Sequence, residues 1–274
     1  MLFFVRDLTK LRLRKPEAIA EAAEHRSRPS WPPGPQLIIA ADHLARGITA
    51  AGKHAMTDRT ELLEKLQLAL GRPGVTGVLG TPDILEDLLL LRALDGKVVF
   101  GSMNRGGLHG ATWTHDDRFT AYDAPAIEAN RFEGGKMLLR LDLDDARTAP
   151  TLEACASAVS ELAERKLIAM VEPIWSDISP EGAMKAIGIA SALGTTSAYT
   201  WLKVPLVPKM KRVMAATTLP SLVLGGSGPA RFEAWAKALE SDAVIGLVAG
   251  RSLLYPDDGD VAGAVDQAAA VVNA

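Results

Sequence analysis

Residues 221–252 read SLVLGGSGPARFEAWAKALESDAVIGLVAGRS, and they contain two strand–helix units in succession. The apolar runs Ser221–Leu224 and Val244–Ala249 are typical of buried strands, and each ends in a glycine-containing turn that leads into a helical pattern. Such turns expose backbone N–H groups, which bind anions at the start of a helix. Two of them after the last two strands form the recurrent phosphate site of a (β/α)8 barrel. The stretch therefore predicts that fold, with an anion site at one end of the barrel.

The remainder of the chain supplies six further apolar runs that alternate with helical patterns, as a (β/α)8 barrel requires. We place these strands at Gln36–Ala41, Val75–Gly80, Lys97–Gly101, Gly135–Leu141, Leu167–Glu172 and Ser197–Val204. The predicted fold class is α/β, with a single (β/α)8 TIM barrel over residues 35–274. Residues 1–34 lie outside the strand–helix rhythm. They are predicted to form a short helical extension, with helices at Asp7–Leu13 and Pro16–His25, and a proline-rich linker.

The composition is that of one large soluble domain, since 274 residues with 48% hydrophobic content are enough for one α/β core. A net charge of −3 gives no reason to expect nucleic acid or an anionic membrane as a partner. No stretch reaches the roughly 18–20 apolar residues that a membrane-spanning helix needs. The single cysteine, Cys155, excludes an intramolecular disulfide, and the apolar start at residues 1–5 is too short for a secretory signal. We expect a cytoplasmic protein.

Lys203 lies inside a run that otherwise reads as a buried strand, YTWLKVP at residues 199–205. Lysine is seldom buried, because its ammonium group loses its hydration. The same desolvation lowers the pKa of the amine, and a neutral amine is a nucleophile toward carbonyl carbon. The simpler alternative is that Lys203 marks the end of the strand and reaches solvent.

Three more charged residues interrupt or close predicted strands, namely Asp42, Lys136 and Glu172. In a barrel, the side chains at the C-terminal ends of the strands converge on the active site. Two lysines in proximity lower each other's pKa, and a carboxylate between them can transfer protons. Asp42 is suited to hold a lysine or a substrate hydroxyl. Each residue taken alone also has the simpler interpretation of a strand-end charge in solvent.

Taken together, these segments resemble the class I aldolase superfamily of (β/α)8 barrels, which includes the fructose-bisphosphate, tagatose-bisphosphate and deoxyribose-phosphate aldolases. The likeness is nearest to the tagatose-bisphosphate and sulfofructose-phosphate branch, and it extends to uncharacterised actinobacterial aldolase-like proteins, some of them associated with inositol breakdown. The similar segments are Asp42 with Arg46-Gly47, Lys136–Leu139 with Asp142, Glu172-Pro173 with Asp177, Leu202–Val204, Gly225–Gly228, and Gly250-Arg251.

The resemblance implies a lyase that acts through a Schiff base on Lys203, with Lys136, Glu172 and Asp42 as the other catalytic residues. The substrate and partner it implies is a phosphorylated sugar or keto acid, and neither a metal nor a cofactor is expected. We also expect a homo-oligomer. The residues expected to bind phosphate or another part of the substrate are Gly225, Gly226, Ser227, Gly250, Arg251 and Arg140.

The sequence departs from the family pattern at two of these positions. His43, Leu44 and Ala45 lengthen the segment between Asp42 and Arg46, and Arg140 stands where an uncharged residue is more usual. The arginine suggests a second anionic group on the substrate. The glycine-rich loop at residues 102–124, with His109 and His115, is long for a connection in this fold, and long loops are usually functional.

Two other functions remain open on the same residues. One is a phosphosugar isomerase or epimerase, with Glu172 as the base and no covalent intermediate. The other is a barrel that binds a sugar phosphate without catalysis. Transaldolase chemistry would also use a lysine Schiff base.

Overall fold

A computed structural model describes residues 4–30, 34–105, 108–110, 117–225 and 230–274. Eight parallel strands close into a barrel in chain order, and the first strand pairs with the last through Gln36 opposite Gly246. The predicted (β/α)8 barrel is thereby confirmed. The strands are β1 Gln36–Ala40, β2 Gly77–Gly80, β3 Val98–Ser102, β4 Gly134–Leu141, β5 Ile168–Trp175, β6 Thr200–Pro205, β7 Ser221–Leu224 and β8 Val244–Ala249.

Helices separate the strands and form the outer layer of the barrel. They are α1 Leu8–Arg14, α2 Ala18–His25, α3 Arg59–Leu70, α4 Pro82–Leu90, α5 Ala124–Ala129, α6 Thr148–Glu164, α7 Pro180–Ser191, α8 Met210–Met214, α9 Arg231–Leu239, α10 Arg251–Leu254 and α11 Val261–Val272. Several begin where local sequence dictates. The side chains of Asp58, Asp123, Ser179 and Asp260 each accept a hydrogen bond from a backbone N–H of the first turn.

Two strand boundaries differ by three residues from the predicted ones, for reasons of backbone hydrogen bonding, and the others differ by two residues or fewer. β6 begins at Thr200 rather than at Ser197, because Thr200 N donates to Ser197 O and so closes a turn. β5 continues past Glu172 through Pro173 to Trp175. Proline is tolerated there because β5 pairs with β6 only as far as Val171, so the missing N–H leaves no partner on that side.

The core has two apolar layers, because side chains of successive strand residues point to opposite faces. One layer fills the space between strands and helices. The other fills the barrel interior with Ile38, Ala40, Leu79, Val98, Phe100, Ile168, Met170, Trp201, Leu222 and Val248. This inner layer blocks the lower part of the barrel. Polar side chains of the same parity, further along the strands, therefore form the floor of an opening at the C-terminal end.

The N-terminal extension is fastened to the opposite end of the barrel. Arg26, which is buried, donates to Glu133 Oε1 at 2.9 Å and to the carbonyl oxygen of Lys97 at 2.9 Å. Glu133 also accepts from the backbone N–H of Val99 on β3. Removing either partner alone would cost about 3–5 kcal/mol, because the other charge would stay buried and unpaired, so the attachment depends on both residues. Residues 31–33 of the predicted linker lie outside the described residues.

Within the described ranges, no helix is both long and apolar enough to cross a membrane.

Candidate active site

Four charged side chains meet at the C-terminal end of the barrel. Lys203 Nζ donates to Glu172 Oε2 at 2.9 Å, and Lys136 Nζ lies 2.7 Å from the same oxygen. Lys136 Nζ also donates to Asp42 Oδ2 at 3.0 Å. All four residues are buried, with relative exposures of 1% for Lys136 and 6% for each of the others. The structure therefore brings all four predicted catalytic residues into one connected cluster.

The alternation of the strands explains why these side chains converge. Lys203 follows Trp201 by two residues, Glu172 follows Met170 by two, and Asp42 follows Ala40 by two, so each lies one step above the apolar interior layer. Lys136 follows Gly134 by two. A Cβ atom at Gly134 would lie 2.3 Å from the carbonyl oxygen of Ile168 and 2.9 Å from a ring carbon of Phe100, so glycine makes room for the neighbouring strand and for this aromatic side chain.

Burial and the four charges together set the protonation states. Burial alone would raise the pKa of Glu172, but the ammonium groups of Lys136 and Lys203 lower it to about 2. Asp42 also has a pKa well below its usual range, because the same two lysines outweigh its burial. Both carboxyl groups are therefore ionised at neutral pH.

The two lysines differ in their contacts and therefore in their pKa values. Burial disfavours the charged form of both. Lys136 lies between Asp42 and Glu172, and these two carboxylates more than offset its burial and raise its pKa. Burial dominates at Lys203, where the charge of Lys136 adds to it, and the pKa is lowered despite the contact with Glu172. Lys203 is therefore the more readily deprotonated amine.

A cavity of about 440 Å³ opens above this cluster. Its walls include three of the residues predicted to bind phosphate, Gly225, Gly250 and Arg251. Gly226 and Ser227, also predicted to do so, lie outside the described residues. A Cβ atom at Gly250 would lie 2.3 Å from the carbonyl oxygen of Ala40, so that turn needs glycine to pass close to β1.

Arg140, the remaining predicted binding residue, is not among the described residues that line this cavity. Its Nε lies 3.4 Å from Asp117 Oδ2, and the Asp117 side chain is fully buried. Arg140 has the same strand parity as Lys136 but lies four residues further on, which at about 3.3 Å per residue places it well beyond the charged cluster.

The cavity is also lined by residues to which sequence reasoning gave no role. Arg46 follows β1, Arg231 opens α9 after β7, and His43 adjoins Asp42. With Arg251 they bring three guanidinium groups and an imidazole to one opening. The sequence signal for these residues is their position shortly after a predicted strand, because residues at that end of the strands form the site in this fold.

The long loop at residues 102–124 contributes to the site at its first residues. Ser102 Oγ donates to Asp42 Oδ2 at 3.2 Å, which helps to hold the carboxylate. Asn104 joins Asp117 O and the backbone of Leu138 on β4. His109 N donates to Arg46 O at 2.7 Å, whereas His115 lies outside the described residues. Among the side chains that the structure describes, no group of three or more His, Cys, Asp or Glu is arranged to hold a metal ion.

A family model described as Cgl0159-like matches residues 34–269. The chain belongs to the Cgl0159-like family. The crystal structure of Cgl0159 from Corynebacterium glutamicum is similar to it throughout, with 47% sequence identity and a TM-score of 0.95, and the match covers 98% of this chain and 96% of that one.

The Cgl0159-like chain also resembles aldolases at the level of the fold. An archaeal fructose-1,6-bisphosphate aldolase, solved with its catalytic Lys covalently bound to the carbinolamine intermediate, is 17% identical with a TM-score of 0.66. The match covers 93% of this chain and 100% of that one. A Schiff-base-forming fructose-1,6-bisphosphate aldolase is 18% identical with a TM-score of 0.65, over 93% and 99% of the two chains. The predicted aldolase-like barrel is confirmed as a fold. No functionally curated protein matches the sequence.

Proposed function

We propose that this Cgl0159-like protein is a class I aldolase that cleaves or forms a C–C bond in a phosphorylated ketose or keto acid through a Schiff base on Lys203. The observation that carries the proposal is the state of Lys203. Its amine is buried, lies 2.9 Å from the carboxylate of Glu172, and has a lowered pKa on the floor of a cavity. That combination favours the neutral form of the amine, which is the nucleophile.

The covalent cycle begins when the neutral amine of Lys203 attacks the ketone carbon. A C–N bond forms, the π electrons move to oxygen, and the proton lost by nitrogen passes through Glu172 to that oxygen to give a carbinolamine. Loss of water, with one more proton taken up from an acid, then gives the protonated imine. Lys136 contacts the same Glu172 oxygen and is therefore close to these proton transfers.

Glu172 has a second role in C–C cleavage, as the base. The carboxylate removes the proton of the hydroxyl beyond the scissile bond, an aldehyde forms, and the bonding electrons flow to the imine to give a neutral enamine. A pKa of about 2 makes Glu172 a weak base while two cations face it. Because electron flow neutralises the nitrogen of Lys203, the pKa of Glu172 rises during the step. Proton transfer and bond cleavage are thereby coupled.

Lys136 and Asp42 complete the arrangement as a charged pair. Lys136 stays protonated between two carboxylates, so it cannot replace Lys203 as the nucleophile at neutral pH. Its charge lowers the pKa of Lys203. Asp42, held by Lys136 and Ser102, keeps one carboxylate oxygen facing His43 and is suited to accept from a substrate hydroxyl.

The substrate's phosphate is assigned to the wall formed by Gly225, Gly250 and Arg251. Arg251 is exposed at the cavity, where its guanidinium can bind a phosphate in bidentate fashion. Gly226 and Ser227 stay predicted parts of this phosphate site, and Arg140 stays predicted to bind a second anionic group of the substrate. The tagatose- and sulfofructose-phosphate branch, the cytoplasmic location, the homo-oligomeric state and independence from metal ions and cofactors likewise stay predictions.

Borohydride trapping against a panel of ketose and keto-acid phosphates tests the proposal. Only an imine is reduced to a stable secondary amine, so an isomerase, an epimerase or a simple binding protein leaves no adduct. Mass mapping should find the added mass on Lys203. Lys97 is an internal control, because it is another lysine whose pKa burial lowers, but it contacts the carbonyl oxygen of Val75 below the barrel. Label on Lys136 or Lys97 instead of Lys203, or no adduct with any substrate, contradicts the proposal.

Dependence on an added acceptor aldehyde separates a transaldolase from an aldolase. An aldolase releases its ketone product without an acceptor, whereas a transaldolase retains the adduct until one is supplied.

A further inference from the structure

His43 faces the cavity beside the charged cluster, and its imidazole is available to a ligand. The side chain is 18% exposed, and its Nδ1 lies 4.0 Å from Asp42 Oδ1, which is beyond hydrogen-bonding distance. Across the described part of the chain, neither ring nitrogen makes a hydrogen bond to a protein group. The partly exposed ring therefore keeps its donor and its acceptor for a substrate atom in the cavity.

The position of His43 is fixed by its surroundings. Its carbonyl oxygen accepts from Arg46 N at 3.0 Å and from Ile48 N at 3.3 Å, which holds the turn after β1. The ring packs on Gly250, where a Cβ atom would lie 2.9 Å from the imidazole Cε1. The absence of a side chain at Gly250 therefore gives the imidazole its place.

The imidazole is neutral at physiological pH. Burial lowers its pKa to about 4, and the positive charges of Lys203, Arg251 and Lys136 add to that effect while Asp42 opposes it. A neutral imidazole carries one N–H donor and one acceptor. It can polarise a carbonyl group by hydrogen bonding without giving up its proton.

His43 lines the same cavity as Lys203 and Arg251, and its ring packs on Gly250 of the phosphate wall. Both Lys203 and Arg251 shift its pKa. A ketone carbon attacked by Lys203, in a substrate whose phosphate lies at Arg251, must lie between these two side chains. Tyr255 also lines the cavity, but the carboxylates that raise its pKa after burial are Glu61 and Asp58 at the start of α3, away from the cluster.

We propose that His43 is a further catalytic residue, whose neutral N–H donates a hydrogen bond to the substrate carbonyl oxygen while Lys203 attacks the carbon. This role rests on the proposed function. As the C–N bond forms, the π electrons move onto the oxygen, and the imidazole N–H stabilises the developing negative charge. The oxygen then takes the proton lost by the attacking nitrogen through Glu172, so His43 begins and ends the step neutral.

The test is the rate of borohydride-trapped adduct formation under single-turnover conditions. Loss of one donor to a developing oxyanion typically lowers the rate by about 10²–10³-fold. His43→Leu and His43→Asn should therefore slow adduct formation by about 100-fold, because leucine has no donor and the asparagine amide is too short to reach. His43→Gln, which extends an N–H further into the cavity, should recover part of the rate. His25→Gln is the matched control, since His25 is exposed on α2 away from the cavity.

The outcomes separate this role from the proposed function. Wild-type protein that forms no adduct refutes both. Wild-type protein that forms an adduct, with His43→Leu and His43→Asn forming it equally fast, refutes the role of His43 alone. Because asparagine is small and polar, His43→Asn keeps the test valid if the leucine variant fails to fold. Equal loss in all three variants, glutamine included, indicates support of the fold rather than hydrogen-bond donation and also overturns the proposal.

Discussion

Replacing Glu172 by Gln separates the two halves of the proposed chemistry. The carboxylate oxygen Oε2 contacts Lys136 Nζ at 2.7 Å and Lys203 Nζ at 2.9 Å, and glutamine keeps the shape while removing the charge. C–C cleavage should fall by about 10²–10⁴-fold, which is the usual contribution of a general acid or base. Adduct formation on Lys203 should persist at a lower rate, because the nucleophile remains but the proton transfer through Glu172 to the carbinolamine oxygen is lost.

The charge removed also acts on Lys203 itself. Glu172 is the main group that raises the pKa of Lys203 against the effect of burial. Without that charge the pKa falls further, so the neutral amine is more abundant at pH 7, and the pH profile of adduct formation should move to lower pH. A residue without catalytic contact would move neither the profile nor the rate.

The cost in stability is bounded by the same contacts. Removing one partner from a buried ion pair costs about 3–5 kcal/mol. The lower end applies here, about 3 kcal/mol, because the glutamine oxygen still accepts one hydrogen bond and Lys203 can deprotonate. Against a typical stability of about 5–15 kcal/mol the variant should still fold.

Three measurements on Glu172→Gln test these expectations. They are aldehyde release in a coupled assay, the rate of borohydride trapping as a function of pH, and unfolding in denaturant. Glu153→Gln, at an exposed position on α6, is the matched control. Cleavage by Glu172→Gln close to the wild-type rate would refute the reasoning and point to Asp42 or a substrate phosphate oxygen as the base.

Further expectations follow from the same geometry. Lys203→Ala should abolish both cleavage and trapping, since the nucleophile and the electron sink are lost together; measurable turnover would show that another residue carries the chemistry. Arg251→Ala should raise KM for a phosphorylated substrate at least about tenfold, because a charged hydrogen bond contributes roughly 1.5–3 kcal/mol; unchanged KM and kcat would place the phosphate site elsewhere. Trapping on Lys203 should accelerate with rising pH and level off below the ordinary lysine pKa of 10.5, because burial lowers that pKa; a profile still rising at 10.5 would show an ordinary surface-like amine. The native state should lose stability as pH falls from 4.5 to about 2, because the pKa of Glu172 is lowered in the folded state and the unfolded chain therefore binds the proton first. This loss should be smaller in Glu172→Gln. Equal acid sensitivity of the two proteins would contradict the prediction.

Much of the barrel could be predicted from the sequence because strands and their exposed ends are encoded locally. Short apolar runs closed by glycine mark β7 and β8, and each of the other six predicted strands lies within a few residues of the observed one. The errors came where backbone hydrogen bonds decide, as at Ser197, which closes a turn. Proline usually ends a strand, but Pro173 is accommodated in β5 because β6 no longer pairs with β5 at that residue.

The cluster of charges could also be predicted, since strand parity is a property of sequence order. Glu172 and Lys203 each follow an interior side chain by two residues, Lys136 follows Gly134 by two, and strand alternation turns all three toward the barrel interior. Strand parity places Arg140 on the same face of β4 as Lys136, but parity does not give its distance from the charged cluster. Only the assembled barrel shows that this side chain lies beyond the cavity and pairs with Asp117 from a distant loop.

Only the tertiary structure shows how the surroundings of the two lysines differ and which other residues line the cavity. Both lysines are buried, on β4 and β6 either side of β5, but Lys136 lies between two carboxylates whereas Lys203 contacts Glu172, so their pKa values move in opposite directions. His43 and Arg231 reach the cavity through the packing of turns and helices rather than through a strand pattern. The physical reason is that strand periodicity is set by the local backbone, whereas desolvation and Coulomb energies depend on distances between atoms far apart in sequence.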